Sequence, residues 1–302
     1  MSVRARLFAL ATPFALLLAA PAGAFALNIN EDYKPQNEFK LEPWISIKIG
    51  GLDLSITKAV AYVFAACILT VVALTYVAKR MQDRPGRIQV VVEGYYGLIQ
   101  DITKAQMSGP MLRRWFPFLA TVFVFIWFSN MLGYLPLPTN TEHKVDIFGL
   151  QIPSFALYAA TANLSVPLAL TLVVWVSYHL EGFREKGVIG FYKGLIPSGT
   201  SGAVLLLVFP IEIISDFVRV VSLSVRLFAN ILAGHLLILF MGGGLVVLLN
   251  LAIVGSVVLG ALTGVMAVAF VIFEVALVAT LQAFIFTTLS AIYLGGAVSA
   301  EH

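Results

Sequence analysis

Residues 203–241 read AVLLLVFPIEIISDFVRVVSLSVRLFANILAGHLLILFM. Most of these positions are apolar, yet Arg226 lies near the middle of the run. A charged side chain in hydrocarbon costs roughly 2.5–3.5 kcal/mol on insertion scales, so ionisable residues inside a membrane usually line a pathway or pair with a partner. The stretch therefore predicts a membrane-embedded helix that conducts ions.

The composition of the whole chain agrees with this interpretation. Its 302 residues are 60% hydrophobic and only 12% charged, with a mean hydropathy of +0.93. A soluble domain of this length needs more polar surface, so we expect an all-α integral membrane protein surrounded by lipid. The net charge of +3 comes from basic residues beside apolar segments, which indicates membrane topology rather than nucleic-acid binding.

The N-terminal residues have the pattern of a signal peptide. Arg4 and Arg6 precede an apolar run at 7–20, and Ala24-Phe25-Ala26 supplies the small residues of a cleavage site. The run is shorter than the ~20 residues of a spanning helix, although an uncleaved anchor remains the alternative. We expect the chain to divide into a signal peptide at 1–26, an exported segment at 27–58 and a membrane domain at 59–302.

Five apolar segments predict about five membrane crossings. They lie at 59–78, 115–135, 158–178, 203–241 and 245–298. Lysines and arginines that follow the first and third segments mark cytoplasmic ends, so the N-terminus is expected outside and the C-terminus inside. Residues 88–107 alternate apolar and polar positions at helical spacing, which is typical of an amphipathic helix on the membrane surface.

The last two segments are too long for simple crossings. As single helices of 1.5 Å per residue they would extend about 58 Å and 80 Å, against a hydrocarbon core of ~30 Å. We expect both helices to tilt or bend, which exposes a long edge within the bilayer. A partner beside that edge is implied.

Polar residues of the fourth segment share one helical face at 100° per residue. They are Glu212, Asp216, Arg219, Arg226 and Asn230. A helix that lines a watery or protein-filled groove has such a face. The alternative is that the first three only pair with one another at i, i+3 and i+4.

His235 points away from this face, toward the last segment, which carries Glu274 and Gln282. If His235 meets Glu274, the antiparallel register places Arg226 opposite Gln282, about 12–14 Å further along the helices. This arrangement predicts an entry channel that ends at a fixed positive charge. The alternatives are that His235 is a packing histidine and that Glu274 handles no proton.

The sequence carries no motif of an independent enzyme. It has no Gly-Lys-Ser/Thr phosphate loop, no Cys/His cluster with metal spacing and no G-x-S-x-G. Four dispersed histidines, His143, His179, His235 and His302, do not suggest a metal site. We expect neither a catalytic site nor a cofactor.

Four short stretches resemble subunit a of F-type ATP synthases. They are SLSVRLFANILAGH at 222–235, LQAFIF at 281–286, SNMLGYLP at 129–136 and TANLS at 161–165. The resemblance runs from about residue 40 to the C-terminus. It implies a stator subunit in a bacterial plasma membrane, with two long tilted helices around a rotating ring of c subunits. Further implied partners are the peripheral stalk subunit b and, indirectly, the catalytic head.

The resemblance also implies roles for individual residues. Arg226 would face the ring carboxylates and separate two offset aqueous half-channels, with Asn230 and Gln282 near it. Glu212 matches an acidic position on the cytoplasmic side. His235 would have its complementary partner in Glu274.

Two alternative functions must be weighed against the resemblance, and the spacing of two residues differs from the family pattern. A self-contained secondary transporter would use Arg226 to bind an anionic substrate. Such transporters often contain inverted repeats, but this sequence shows no internal repeat, and the odd number of five crossings argues against a repeat. A membrane scaffold would move no ions. Glu274 lies eight residues before Gln282, where the resemblance leads us to expect seven, so either the match of Glu274 is offset by one position or a helical bulge accommodates the extra residue.

Overall fold

A computed structural model gives the architecture of the membrane domain. It describes residues 41, 43–49, 52–53, 55–82, 84–107, 109–135, 137–147, 150–156, 158–196, 203–241 and 253–298. The predicted signal peptide and the first part of the exported segment lie outside the described residues.

Short antiparallel strands occupy two stretches that lie outside the predicted helices. Before the first helix, β1 (Pro43–Ile45) pairs with β4 (Ile56–Thr57) and β2 (Lys48–Ile49) with β3 (Leu52–Asp53). Further on, β5 (Leu137–Ile147) and β6 (Leu150–Ala156) form a longer hairpin. The prolines and mixed charges of these segments obscure the strand pattern, yet antiparallel pairing satisfies their backbone groups.

The first three helices agree closely with the predicted segments. They are α1 (Lys58–Arg80), α2 (Arg87–Gln106) and α3 (Gly109–Gly133). The Tyr95 hydroxyl of α2 donates a hydrogen bond of 2.6 Å to the Ala120 carbonyl of α3. Burial raises the pKa of Tyr95 above its usual value, so the hydroxyl keeps the proton it donates. This bond holds the amphipathic helix against the span.

The fourth helix, α4 (Ser165–Gly194), begins later and ends later than the predicted segment at 158–178. A 3-10 turn at Ala160–Ala162 occupies the start of that segment. Inside α4, Gly187 has a φ of 70°, which breaks the helical path near its end. Glycine lacks the Cβ that makes this left-handed conformation unfavourable for other residues.

The C-terminal part contains the two long apolar helical segments that the sequence predicts. α5 (Ala203–Leu239) has 37 residues, and α6 (Ile253–Phe273) continues through a π-helical turn at Glu274–Val278 into α7 (Ala279–Val298). The π turn begins at Glu274 and ends before Gln282, so the structure has a helical bulge where the sequence left one open. Such turns add a residue to a helix and often occur at functional sites.

The helices pack around a main apolar core and two smaller apolar clusters, and their outer surfaces are apolar as well. Side chains from α2 to α5 and from α7 fill the core, among them Ile99, Leu119, Ile126, Leu227 and Phe286. Many outward-facing residues are also apolar. Leu206, for example, is 83% exposed. Four helical stretches in the described ranges are long and apolar enough to span a membrane: Lys58–Arg80, Gly109–Gly133, Ser165–Gly194 and Val257–Val298. The prediction of an all-α integral membrane protein is confirmed.

Candidate functional site

Arg226 lies on the outer side of α5. Its neighbour Leu227 is 1% exposed and packs in the core, whereas the Arg226 side chain is exposed. Within the described ranges no carboxylate lies within the 4.0 Å of an ion pair with Arg226. The guanidinium is therefore directed away from the fold and available to a group outside this chain.

Only part of the predicted polar face of α5 points toward the core. With Glu212 as the zero of the helical wheel, the buried Leu223 and Leu227 lie at about +20° and +60°, Asp216 at about +40° and Arg226 at about −40°. Asp216 is accordingly 6% exposed, whereas Arg226 faces outward. The five residues line the border of the core rather than a single open groove.

The other residues of this face follow the same division. Asn230 is exposed like Arg226, while Glu212 and Arg219 are half-buried. The alternative in which Glu212, Asp216 and Arg219 pair with one another is not observed, since the described residues include no ion pair among these three.

His235 and Glu274 lie in one buried cluster, but Tyr134 stands between them. The Tyr134 hydroxyl donates a hydrogen bond of 3.0 Å to Oε2 of Glu274, and its ring packs 4.8 Å from the His235 ring. His235 Nε2 lies 3.0 Å from the Gly133 carbonyl oxygen. Tyr134 thus contacts both His235 and Glu274, and the described atoms form no direct hydrogen bond between these two side chains.

Two glycines permit this close packing. A Cβ on Gly234 would collide with the Glu274 carboxyl group, and a Cβ on Gly133 would collide with Ala159 and come within 2.9 Å of His235 Nε2. The glycine of the AGH sequence at 233–235 therefore makes room for the carboxylate from the π turn.

Gln282 is 5% exposed and faces the core side of α7. No hydrogen bond joins it to Arg226 among the described atoms, so the predicted Arg226–Gln282 pair is not formed within this chain. Asn130 has a clearer packing role, which the sequence analysis did not assign. Its amide donates to the Ala279 carbonyl at 3.4 Å and accepts from the Thr161 hydroxyl at 2.8 Å.

A second ionisable cluster joins α4 to α5, and the sequence analysis found only its α5 member, Asp216. Asp216 accepts hydrogen bonds from the Tyr178 hydroxyl at 2.5 Å and from Trp175 Nε1 at 2.8 Å. His179 Nε2 lies 3.4 Å from Asp216 Oδ2. Trp175, Tyr178 and His179 are spaced i, i+3 and i+4, which places them on one helical face. This spacing is the feature of the sequence from which the α4 side of the cluster could have been predicted.

Two further contacts surround this cluster. The Arg219 guanidinium lies over the Tyr293 ring of α7, 5.5 Å from its centroid. Arg114 of α3 forms an ion pair of 2.6 Å with Glu181 of α4, whose side chain is 2% exposed. No group of three potential metal ligands occurs in the part of the chain that the structure describes.

The fold and these clusters define a multi-pass membrane protein with ionisable side chains buried between its long helices. The model of the ATP synthase A chain family matches residues 60–295, and the chain belongs to that family. It is thus a component of the ATP synthase, a multi-pass inner membrane protein without a catalytic site of its own.

Several proteins named ATP synthase subunit a are similar to this chain. The one from Parvibaculum lavamentivorans is 35% identical over 268 residues, which cover 89% of this chain and 94% of that protein. The one from Maricaulis maris is 36% identical over 275 residues, with 90% and 99% covered. The one from Paramagnetospirillum magneticum is 32% identical over 265 residues, with 87% and 98% covered.

Proposed function

We propose that the chain is the proton-translocating stator subunit of an ATP synthase and couples proton flow to rotation of a ring of c subunits. The observation that carries the proposal is the outward position of Arg226 beside the buried Leu227. A guanidinium at this depth needs an anionic partner. A carboxylate on each ring subunit, passing Arg226 in turn, is the partner we infer.

Proton entry is assigned to the cluster of His235, Tyr134 and Glu274. With the N-terminus outside and the C-terminus in the cytoplasm, this cluster lies on the outer side of Arg226. Glu274 and His235 both exchange protons, and Tyr134 connects them. Asn230 and Gln282 then lie near the ring-facing arginine, at the inner end of this path.

Proton release is assigned to the N-terminal part of α5. A ring carboxylate that has completed its rotation discharges near Glu212 and Asp216 because Arg226 favours its ionised form and blocks a direct path between the two half-channels. Each charge moved across the membrane supplies ~2.3 kcal/mol per 100 mV. Rotation carries this energy to the catalytic head, and the peripheral stalk subunit b holds the present chain still.

ATP-driven acidification of inverted membrane vesicles tests the function. We expect Arg226→Ala to abolish acidification in complexes that still assemble, as judged by co-purification of the c ring. Arg184→Ala is the matched control, because Arg184 is an exposed arginine of α4 outside the proposed pathway. Normal acidification by an assembled Arg226→Ala complex would exclude the proposed role and favour a scaffold.

A further inference from the structure

His179 and Asp216 form a buried pair that the mechanism above uses only in part. His179 comes from α4 and Asp216 from α5, and each is 6% exposed. Nε2 of the histidine lies 3.4 Å from Oδ2 of the aspartate. Ionisable groups this deeply buried must be paired or neutralised, so the protons of the two side chains are linked.

The surroundings of the His179 ring limit where its protons lie. Nδ1 is 2.9 Å from the Trp175 carbonyl oxygen, which only accepts, and Nε2 faces the Asp216 carboxyl group. A neutral imidazole has only one N–H, so it cannot donate to both. Two arrangements place a hydrogen at both ring contacts: an imidazolium beside an ionised Asp216, or a neutral His179 with Nδ1–H that accepts a hydrogen bond from a protonated Oδ2.

Both arrangements share one proton between the same two atoms and leave the pair without net charge. The other contacts tolerate either arrangement, because Tyr178 donates to Oδ1 and Trp175 Nε1 donates to Oδ2 in each case. Moving the proton from Nε2 to Oδ2 therefore requires no rearrangement of the helices.

A small cavity lies beside Trp175 and Tyr178, the two residues that donate hydrogen bonds to Asp216. Its volume is about 10 Å³, enough for one water molecule. Trp175 and Tyr178 line it together with Arg219 and Tyr293. When an excess proton from the ring side binds the Tyr178 oxygen, the original hydroxyl proton moves to Oδ1 of Asp216 and Tyr178 remains neutral.

The position of the pair along α5 matches a release path. Asp216 lies ten residues before Arg226, which is about 15 Å along the helix axis. Glu212 lies one turn beyond Asp216, about 6 Å away along the axis, and is half-buried. Because Glu212 and Asp216 are spaced i and i+4, the Glu212 carboxyl group is the next acceptor along α5 for a proton that leaves Asp216, where one O–H bond breaks as another forms.

We propose that His179 and Asp216 together form a proton-relay station between the ring and Glu212, with His179 as a relay residue that the family resemblance does not supply. This inference rests on the proposed function. It predicts that the two side chains act as one unit in proton conduction.

Passive proton conductance of inverted vesicles stripped of the catalytic head tests the relay. We expect Asp216→Asn and His179→Gln each to slow conductance roughly tenfold or more, as for loss of a proton-transfer group. The double variant should be no slower than Asp216→Asn, and Asp216→Glu should restore much of the rate. Ser177→Ala on α4, which loses only a hydrogen bond to Val173, should leave the rate unchanged.

Normal conductance in assembled Asp216→Asn complexes would overturn the relay, and so would a double variant in which the two losses multiply. Equal losses in Asp216→Glu and Asp216→Asn would assign the pair to packing and likewise reject the proposal. Arg226→Ala separates the two levels of inference. If it abolishes ATP-driven acidification while Asp216→Asn conducts normally, the proposed function stands and the relay fails.

Discussion

The Tyr134 hydroxyl donates a hydrogen bond of 3.0 Å to Oε2 of Glu274. Tyr134 follows the end of α3 and is 5% exposed, and Glu274 begins the π turn between α6 and α7. The contact ties an aromatic side chain to a carboxylate 140 positions later in the chain. Because His235 packs on the same tyrosine ring, three separate parts of the chain meet at this point.

Tyr134→Phe is expected to slow proton uptake while the complex still assembles. The variant keeps the ring on His235 but removes the donor to Glu274, and an unmade hydrogen bond at a buried group costs about 1–3 kcal/mol. ATP synthesis rates of vesicles under an imposed proton gradient provide the measurement. Tyr96→Phe is the control, because Tyr96 is 47% exposed on α2. Equal rates in both variants would remove Tyr134 from the entry path.

Gly234→Ala is expected to reduce assembly and proton translocation together. Its Cβ would occupy the space of the Glu274 carboxyl group, and the adjoining helices would have to separate. Overpacking of this kind typically costs about 1–3 kcal/mol. Gly94→Ala on α2 is the matched control, since a Cβ there meets no atom within 4 Å. Blue-native electrophoresis measures assembly, and equal tolerance of both alanines would contradict the close approach.

Arg114→Ala is expected to destabilise the protein more than Glu181→Gln. Loss of Arg114 leaves the buried Glu181 carboxylate without its counter-charge, whereas loss of the carboxylate leaves an arginine whose side chain is 53% exposed and can be hydrated. Removing one member of a buried pair costs up to about 3–5 kcal/mol, and the exposure of Arg114 lowers that figure here. Thermal unfolding of the detergent-solubilised complex gives the comparison. The reverse order of stabilities would show that Glu181 is not held by this pair.

Asn130→Ala is expected to loosen the contact of α3 with α7. The amide of Asn130 is fully buried and bridges the Thr161 hydroxyl and the Ala279 carbonyl. A double-mutant cycle with Thr161→Val should give a coupling energy of about 0.5–3 kcal/mol. Additive losses of thermal stability in the cycle would mean that the two side chains do not depend on each other.

The sequence predicted the elements of this fold whose pattern is local. The surface helix α2 was visible in its helical spacing and the long segment α5 in its apolar length. A bulge near Glu274 was only one possibility, and it came from the spacing that the family resemblance implies. The β5–β6 hairpin was missed, because prolines and charges interrupt its alternation. The helical wheel also predicted a shared environment for Asp216 and Arg226. In the structure Asp216 points into the core and Arg226 points away from it.

The tertiary contacts of the site could not be obtained from spacing along the chain. Tyr134 reaches Glu274 only because α3 ends beside the π turn. His179 reaches Asp216 only because α4 packs on α5. Dispersed histidines gave no sequence signal of that meeting, although the spacing of Trp175, Tyr178 and His179 already indicated a shared face.

Photo-cross-linking from α5 tests most directly whether the Arg226 side of the helix faces the ring. A photoreactive residue in place of Ala229, which is exposed one turn from Arg226, should form adducts with c subunits. The same residue in place of Val71, which is 63% exposed on α1, should not. Adducts from position 71 but none from position 229, in complexes that pump protons, would contradict the account.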